Sequence, residues 1–150
     1  KNDRCLSVDG FNFQINSKNL TKIDKKKLLD SLINESNIIH NENSSIKLIL
    51  NIFTRESSSL VSLNNTTVSK NITFITEYKI IDNNDILLDE GHIILIDDLD
   101  VVDNRFANYV SKNYITDNFI RNLTYKLENK VSIFLKNNEK NCLLINNKQI

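Results

Sequence analysis

Residues 119–134 read Phe119-Ile120-Arg121-Asn122-Leu123-Thr124-Tyr125-Lys126-Leu127-Glu128-Asn129-Lys130-Val131-Ser132-Ile133-Phe134. At about 100° per residue, Phe119, Ile120, Leu123, Leu127, Val131 and Phe134 fall within one stripe, and Lys112, Asn118, Arg121, Asn122, Lys126, Glu128, Asn129 and Ser132 occupy the rest of the circumference. This periodicity predicts a long amphipathic helix over residues 104–138, with one face buried and its back in water. The charges on that back exclude a membrane span. Burying the six apolar side chains contributes roughly 9 to 18 kcal/mol before chain entropy is subtracted. A broad apolar surface must receive them, and the β-rich segment 45–96 is the only part of the chain large enough.

Within that segment Ile46, Leu48, Leu50 and Ile52 alternate with Lys47, Ile49, Asn51 and Phe53, which predicts a strand over 46–54. Its second face is also fairly apolar, so it lies inside the sheet. Residues 55–66, rich in serine and asparagine, predict a hairpin loop, and the chain returns through Val68, Ile72, Phe74, Tyr78 and Ile80. Residues 82–85 form the next turn, and the following strand, 86–96, holds Gly91 at a bulge or a close backbone approach. Nearer the N-terminus, Phe11, Phe13 and Ile15 alternate with polar neighbours as a first strand. A helix follows, capped by Thr21 or Asp24, with Leu28, Leu29, Leu32 and Ile33 on one face, and then a polar loop over 34–45.

The order predicts an α+β fold: a two-layer sandwich with two helices packed on one face of a mostly antiparallel, four-stranded mixed sheet. We expect a flexible N-terminal segment over 1–10, a single domain over 11–136 and a polar C-terminal tail over 137–150, with one apolar patch at 142–145.

A chain of 150 residues, 40% hydrophobic and 25% charged, buries one core and not two. Its formal net charge is zero, so nothing in the balance calls for nucleic acid. Isoleucine, asparagine and lysine are abundant, glycine occurs twice and proline never, a bias that follows an AT-rich genome. Glycosylation sequons such as those at Asn64 and Asn122 are expected by chance in such a chain. The lack of methionine leads us to expect that an initiating residue or a leader precedes Lys1.

No catalytic residue emerges. His40 in a polar loop and His92 in a strand lack partners at ligand spacing, so no metal site is expected. Asp97, Asp98, Asp100 and Asp103 lack the glycine and glutamate spacing of a calcium loop and read as a solvated acidic loop before the helix. Two glycines exclude a phosphate-binding loop or a dinucleotide fingerprint, and no cofactor is implied. Serines 57–59 have no nucleophile elbow around them. Tyr109, Tyr114 and Tyr125 read as packing at the rim of the long helix. Cys5 and Cys142 allow one disulfide in an oxidising compartment and are equally compatible with free thiols.

A more specific signal is the succession of Thr66-Thr67-Val68-Ser69-Lys70 through Glu77-Tyr78-Lys79-Ile80, then Leu87-Leu88-Asp89-Glu90-Gly91, then Phe106-Ala107 and a closing helix bearing Leu123 and Leu127. Over roughly residues 13–134 this pattern resembles the LPS-assembly lipoprotein LptE family of alphaproteobacterial type. It departs from that pattern at Cys5, which follows Lys1-Asn2-Asp3-Arg4 rather than a lipobox, and in having one alanine, Ala107, in the closing helix.

The resemblance implies a non-enzymatic, outer-membrane lipoprotein on the periplasmic face, lipid-anchored in its full-length precursor. Such a protein plugs and helps assemble an LptD-like β-barrel, contacts lipopolysaccharide during transport, and is monomeric when isolated. Because cations meet phosphates where such a lipid passes, Arg55 and Lys70, which flank the expected hairpin loop, are the lipid-contact candidates, expected near one another at one end of the sheet. Fold alone does not license that function. The alternative from the residues is a periplasmic protein-interaction module unrelated to lipid export, binding through a sheet edge or loop.

Overall fold

Six elements follow in the expected order: β1 (Asn12–Ser17), α1 (Lys22–Asn34), β2 (Lys47–Val61), β3 (Thr67–Ile81), β4 (Leu87–Val102) and α2 (Arg105–Lys148). The computed structural model describes residues 5–61, 67–102 and 104–148. The strands form one sheet in the order β1-β2-β3-β4. β1 and β2 are parallel, with Phe13 opposite Leu48 and Ile15 opposite Leu50, because the α1 crossover separates them. The other two pairings are antiparallel. This is the α+β architecture with a mixed four-stranded sheet.

Each helix begins at a side-chain cap. Thr21 accepts the Asp24 amide at 3.1 Å ahead of α1, and Asn104 accepts those of Phe106 and Ala107 at 3.0 and 3.1 Å ahead of α2. Inward-facing strand residues, among them Leu48, Leu50, Ile52, Ile72, Phe74, Tyr78, Ile80 and Ile93, meet the buried Leu28 and Leu32 of α1. All six residues of the α2 stripe join them in the core, and Leu123 and Leu127 are 0% exposed. Phe74 stacks on Phe119 with centroids 4.1 Å apart, and Phe11 meets Phe134 edge-on at 6.4 Å. Between the helices the buried hydroxyls of Ser31 and Thr124 lie 2.8 Å apart.

Three boundaries differ from the sequence reading. β2 does not end near residue 54 but runs to Val61, so Arg55 stands in the ladder opposite Thr73. The rest of the expected loop, residues 62–66, lies outside the described residues. β4 likewise runs to Val102, taking in Asp97, Asp98 and Asp100, which were expected in a loop; Asp103 lies outside the described residues. The cause is the same in both strands. Backbone pairing continues wherever a partner strand offers donors and acceptors, even where the side chains are polar and the apolar alternation fades. Leu99, buried opposite Lys70, carries that alternation past Ile96.

α2, expected to stop at 138, continues to Lys148, so residues 137–148 are helix and not tail. The N-terminal segment supplies a partner there. Asn138 donates to the Leu6 carbonyl and accepts the Leu6 amide, both at 2.9 Å, and Cys5 is bonded to Cys142. Residues 5–10, expected to be flexible, are therefore held, with Leu6 and Val8 packed on the core. Residues 1–4 and 149–150 lie outside the described residues.

At Gly91 the close-approach reading applies. The Tyr78 ring lies over it, and a Cβ there would come within 2.6 Å of the ring. The irregularity in the β3–β4 register lies elsewhere, between Ile80 and Ile81. Burial, and then the negative charge of Asp89, push the Tyr78 phenol above its ordinary pKa.

Leu127→Ala should cost about 2 to 5 kcal/mol in denaturant unfolding, while Arg121→Ala, on the exposed face, should change stability by less than about 0.5 kcal/mol. Equal effects would place the wrong face of α2 in the core. Gly91→Ala should cost about 1 to 3 kcal/mol by overpacking. Combined with Tyr78→Ala its effect should shrink, because the ring it strikes is gone; strict additivity of the two changes would refute the contact.

Candidate functional site

β4 passes the chain to α2 at Asn104, and α2 runs back over the sheet, so the two ends of the molecule are built from different parts of the sequence. At the first end the Cys5–Cys142 disulfide, with Cα atoms 4.6 Å apart, and the paired hydrogen bonds between Leu6 and Asn138 fasten the N-terminal segment to the last turns of α2. At the second end lie the far ends of β2, β3 and β4 and the first turns of α2. From Phe106 to Cys142 the helix rises about 54 Å at roughly 1.5 Å per residue.

The second end is aromatic on its helix. Phe106 is 75% exposed, and Tyr109, Val110 and Tyr114 are exposed beside it. Rim packing was expected of the tyrosines, but Tyr109, Tyr114 and Tyr125 all stand outward. The reason is angular. The buried stripe starts at Ile115, and residues 106, 109, 110 and 114, at steps of three, one and four, form a stripe of their own that does not continue into it. That second short stripe was present in the sequence and escaped a reading centred on the core-facing one.

Arg55 and Lys70 are not brought together. Arg55 pairs with Thr73, and Lys70 pairs with Ser58 on β2 and Leu99 on β4, so the two cations are three register steps apart. An odd number of steps places them on opposite faces: Lys70 on the helix-covered face and Arg55 on the open one. A loop beginning at residue 55 would have freed both from this parity. The ladder imposes it.

His40 and His92 are far apart in the sheet order. The His40 ring lies on Phe13 with centroids 4.9 Å apart and its Nε2 3.9 Å from Glu42, while His92 Nε2 is 3.9 Å from Glu77 on the open face. Among the described residues no group of three or more His, Cys, Asp or Glu could hold a metal ion, and no helix is long and apolar enough to cross a membrane. An open cleft of about 330 Å³ separates the loop after α1 from α2, lined by Ile38, Tyr125, Val131 and Leu135 among others. Its carboxylate, Glu128, accepts the Asn37 amide at 3.1 Å and so ties loop to helix.

The sequence matches no family model, and no curated protein is similar to it. Solved structures are. Rare lipoprotein B from Shewanella oneidensis superposes with a TM-score of 0.59 at 11% identity, over 85% of this chain and 98% of that one. Lipoprotein B from Nitrosomonas europaea gives 0.59 at 12% identity, over 86% of each chain. A lipoprotein from Caulobacter crescentus gives 0.56 at 14%, over 83% of this chain and 90% of that one. The chain has the fold of these bacterial lipoproteins. The identity is too low to carry side-chain chemistry with it, so the backbone over the covered part is what this chain and rare lipoprotein B have in common.

The disulfide joins residues 137 positions apart in sequence. Its removal, by reductant or by the pair Cys5→Ser and Cys142→Ser, should lower stability by about 2 to 5 kcal/mol. Urea midpoints measured with and without reductant check this, and an unchanged midpoint would show that the bridge bears no part of the fold.

Proposed function

We propose that this chain is a non-enzymatic, outer-membrane-associated component on the periplasmic side that plugs and helps assemble an LptD-like β-barrel and assists lipopolysaccharide transport. The observation that carries the reading is the fold shared with rare lipoprotein B, combined with fastening of the N-terminal segment to the last turns of α2. A lipid anchor upstream of Cys5 would hold that first end at the membrane. The second end, about 54 Å along the helix, would then reach into the partner. The exposed run of Arg55, Glu56, Ser57 and Ser58 on β2 suits a polar, water-filled lumen.

Crosslinking in the native organism followed by purification should recover a large outer-membrane β-barrel with this chain. Recovery of soluble partners alone would turn the assignment to an interaction module unrelated to lipid export.

Arg55 and Lys70 remain the cations proposed to meet lipid phosphates. Since they occupy opposite faces, they act separately rather than as one clamp. In titrations with purified lipopolysaccharide, Arg55→Ala and Lys70→Ala should each weaken binding, their effects should add, and both should fade at high salt. Binding untouched by either change and by salt would remove the lipid-contact role and leave the barrel-plug role standing.

A further inference from the structure

Both helices lie on one face of the sheet, and among the described residues nothing packs over the other. Across it Phe53, Ile75 and Ile94 stand in one register row of β2, β3 and β4. Phe53 is 47% exposed, Ile94 59% and the neighbouring Ile96 67%. The two flanks of this apolar row carry opposite charge. On β2 the outward cations are Lys47 and Arg55, at the levels of Ile81 and Thr73 of β3. On β4 the outward acids Glu90 and Asp98 stand at the levels of Lys79 and Asn71. Among the described residues none of these four side chains has an ion-pair partner within the chain.

We propose that two copies of this chain pair face to face through the open side of the sheet, about a two-fold axis parallel to the strands and passing over β3. Such an axis keeps the level along the strands and exchanges the flanks. β2 of each copy then lies over β4 of the other. Phe53 meets the second copy's Ile94 at the same level, and Ile75 meets its own counterpart on the axis. Arg55 falls within two residues of the second copy's Asp98, and Lys47 within two residues of its Glu90. Glu77 and Lys79, outward on β3 and two residues apart, each lie opposite their own counterpart, with the opposite charge two levels away, so β3 itself adds no net attraction.

The competing self-pairings are electrostatically worse. A two-fold axis across the strands would lay the acidic flank of β4 on itself. Edge-to-edge pairing through β4 would juxtapose Asp89, Glu90, Asp97 and Asp98 with their own counterparts, and acids on an edge strand oppose such addition. The paired face spans three strands and eleven register levels, a footprint of roughly 14 by 33 Å from ordinary strand spacings. That is roughly 460 Å², below the roughly 800 Å² per partner of a standard stable interface, so the association is of the weak class. The inference does not rest on the lipid-export reading, and it replaces the isolated monomer expected there.

Sedimentation equilibrium on the full, disulfide-bonded chain from about 1 to 100 μM, the range such a small interface demands, should show a monomer–dimer equilibrium. Arg55→Asp alone and Asp98→Arg alone should each weaken it by about tenfold or more. The double exchange Arg55→Asp, Asp98→Arg should restore it, with circular dichroism confirming that all three variants are folded. Ile75→Cys, on the axis, should crosslink to its own counterpart with a short bis-maleimide, which leaves the Cys5–Cys142 bridge intact. A wild-type chain that stays monomeric throughout, a double exchange no better than the single changes, or an Ile75→Cys variant that gives no crosslinked dimer would overturn the proposal.

Discussion

The seating of Leu123 and Leu127 on the inward face of the sheet is the contact from which the other features follow. A stripe that runs from Ile115 to Phe134 needs a floor of matching length, and strands of 15 or 16 residues in β2, β3 and β4 provide it. Once α2 is laid along such strands its last turns extend past the core, where they would have only water for company. The N-terminal segment fills that vacancy, with Leu6 hydrogen-bonded to Asn138 and Phe11 edge-on to Phe134. The ordering of the first residues is thus a consequence of the length of the last helix.

The parts of the fold legible in the sequence were those where one side of an element is dry. The α2 stripe, the alternation of Ile46 to Ile52 and the leucines of α1 all carry a period that water imposes. The illegible parts were wet on both sides or held by something distant. Residues 55–61 form strand because β3 is beside them, and nothing in their own serines announces it. Asp97 and Asp98 look like a loop for the same reason. Residues 139–148 look like a tail because their partner, Cys5, is at the other end of the chain. Two cysteines made a bridge possible, but only the three-dimensional path of α2 makes it a short span. Of the candidate cations, neither the place of Arg55 within a strand nor the face each occupies was readable, because both depend on where the ladder ends. The aromatic stripe at the start of α2 was readable and was obscured by attention to the longer one.

The same distinction accounts for the outcome of the comparisons. What the fold requires of this chain is a pattern of dry and wet positions, and a pattern can be met by isoleucine and asparagine as well as by the residues another genome favours. Identities of 11 to 14% alongside coverage above four-fifths of the chain are what such a constraint leaves behind. The open face of the sheet is under no such demand from the core.

The covalent bridge also determines how the molecule carries tension. A pull applied between the chain before Cys5 and the chain after Cys142 passes through the sulfur atoms, bypassing the sequence between them, which contains the sheet. The strands lie inside a closed covalent ring and are mechanically unloaded. Force between the two chain ends would run through the last turns of one helix, whereas a partner gripping the sheet itself would still load its strands.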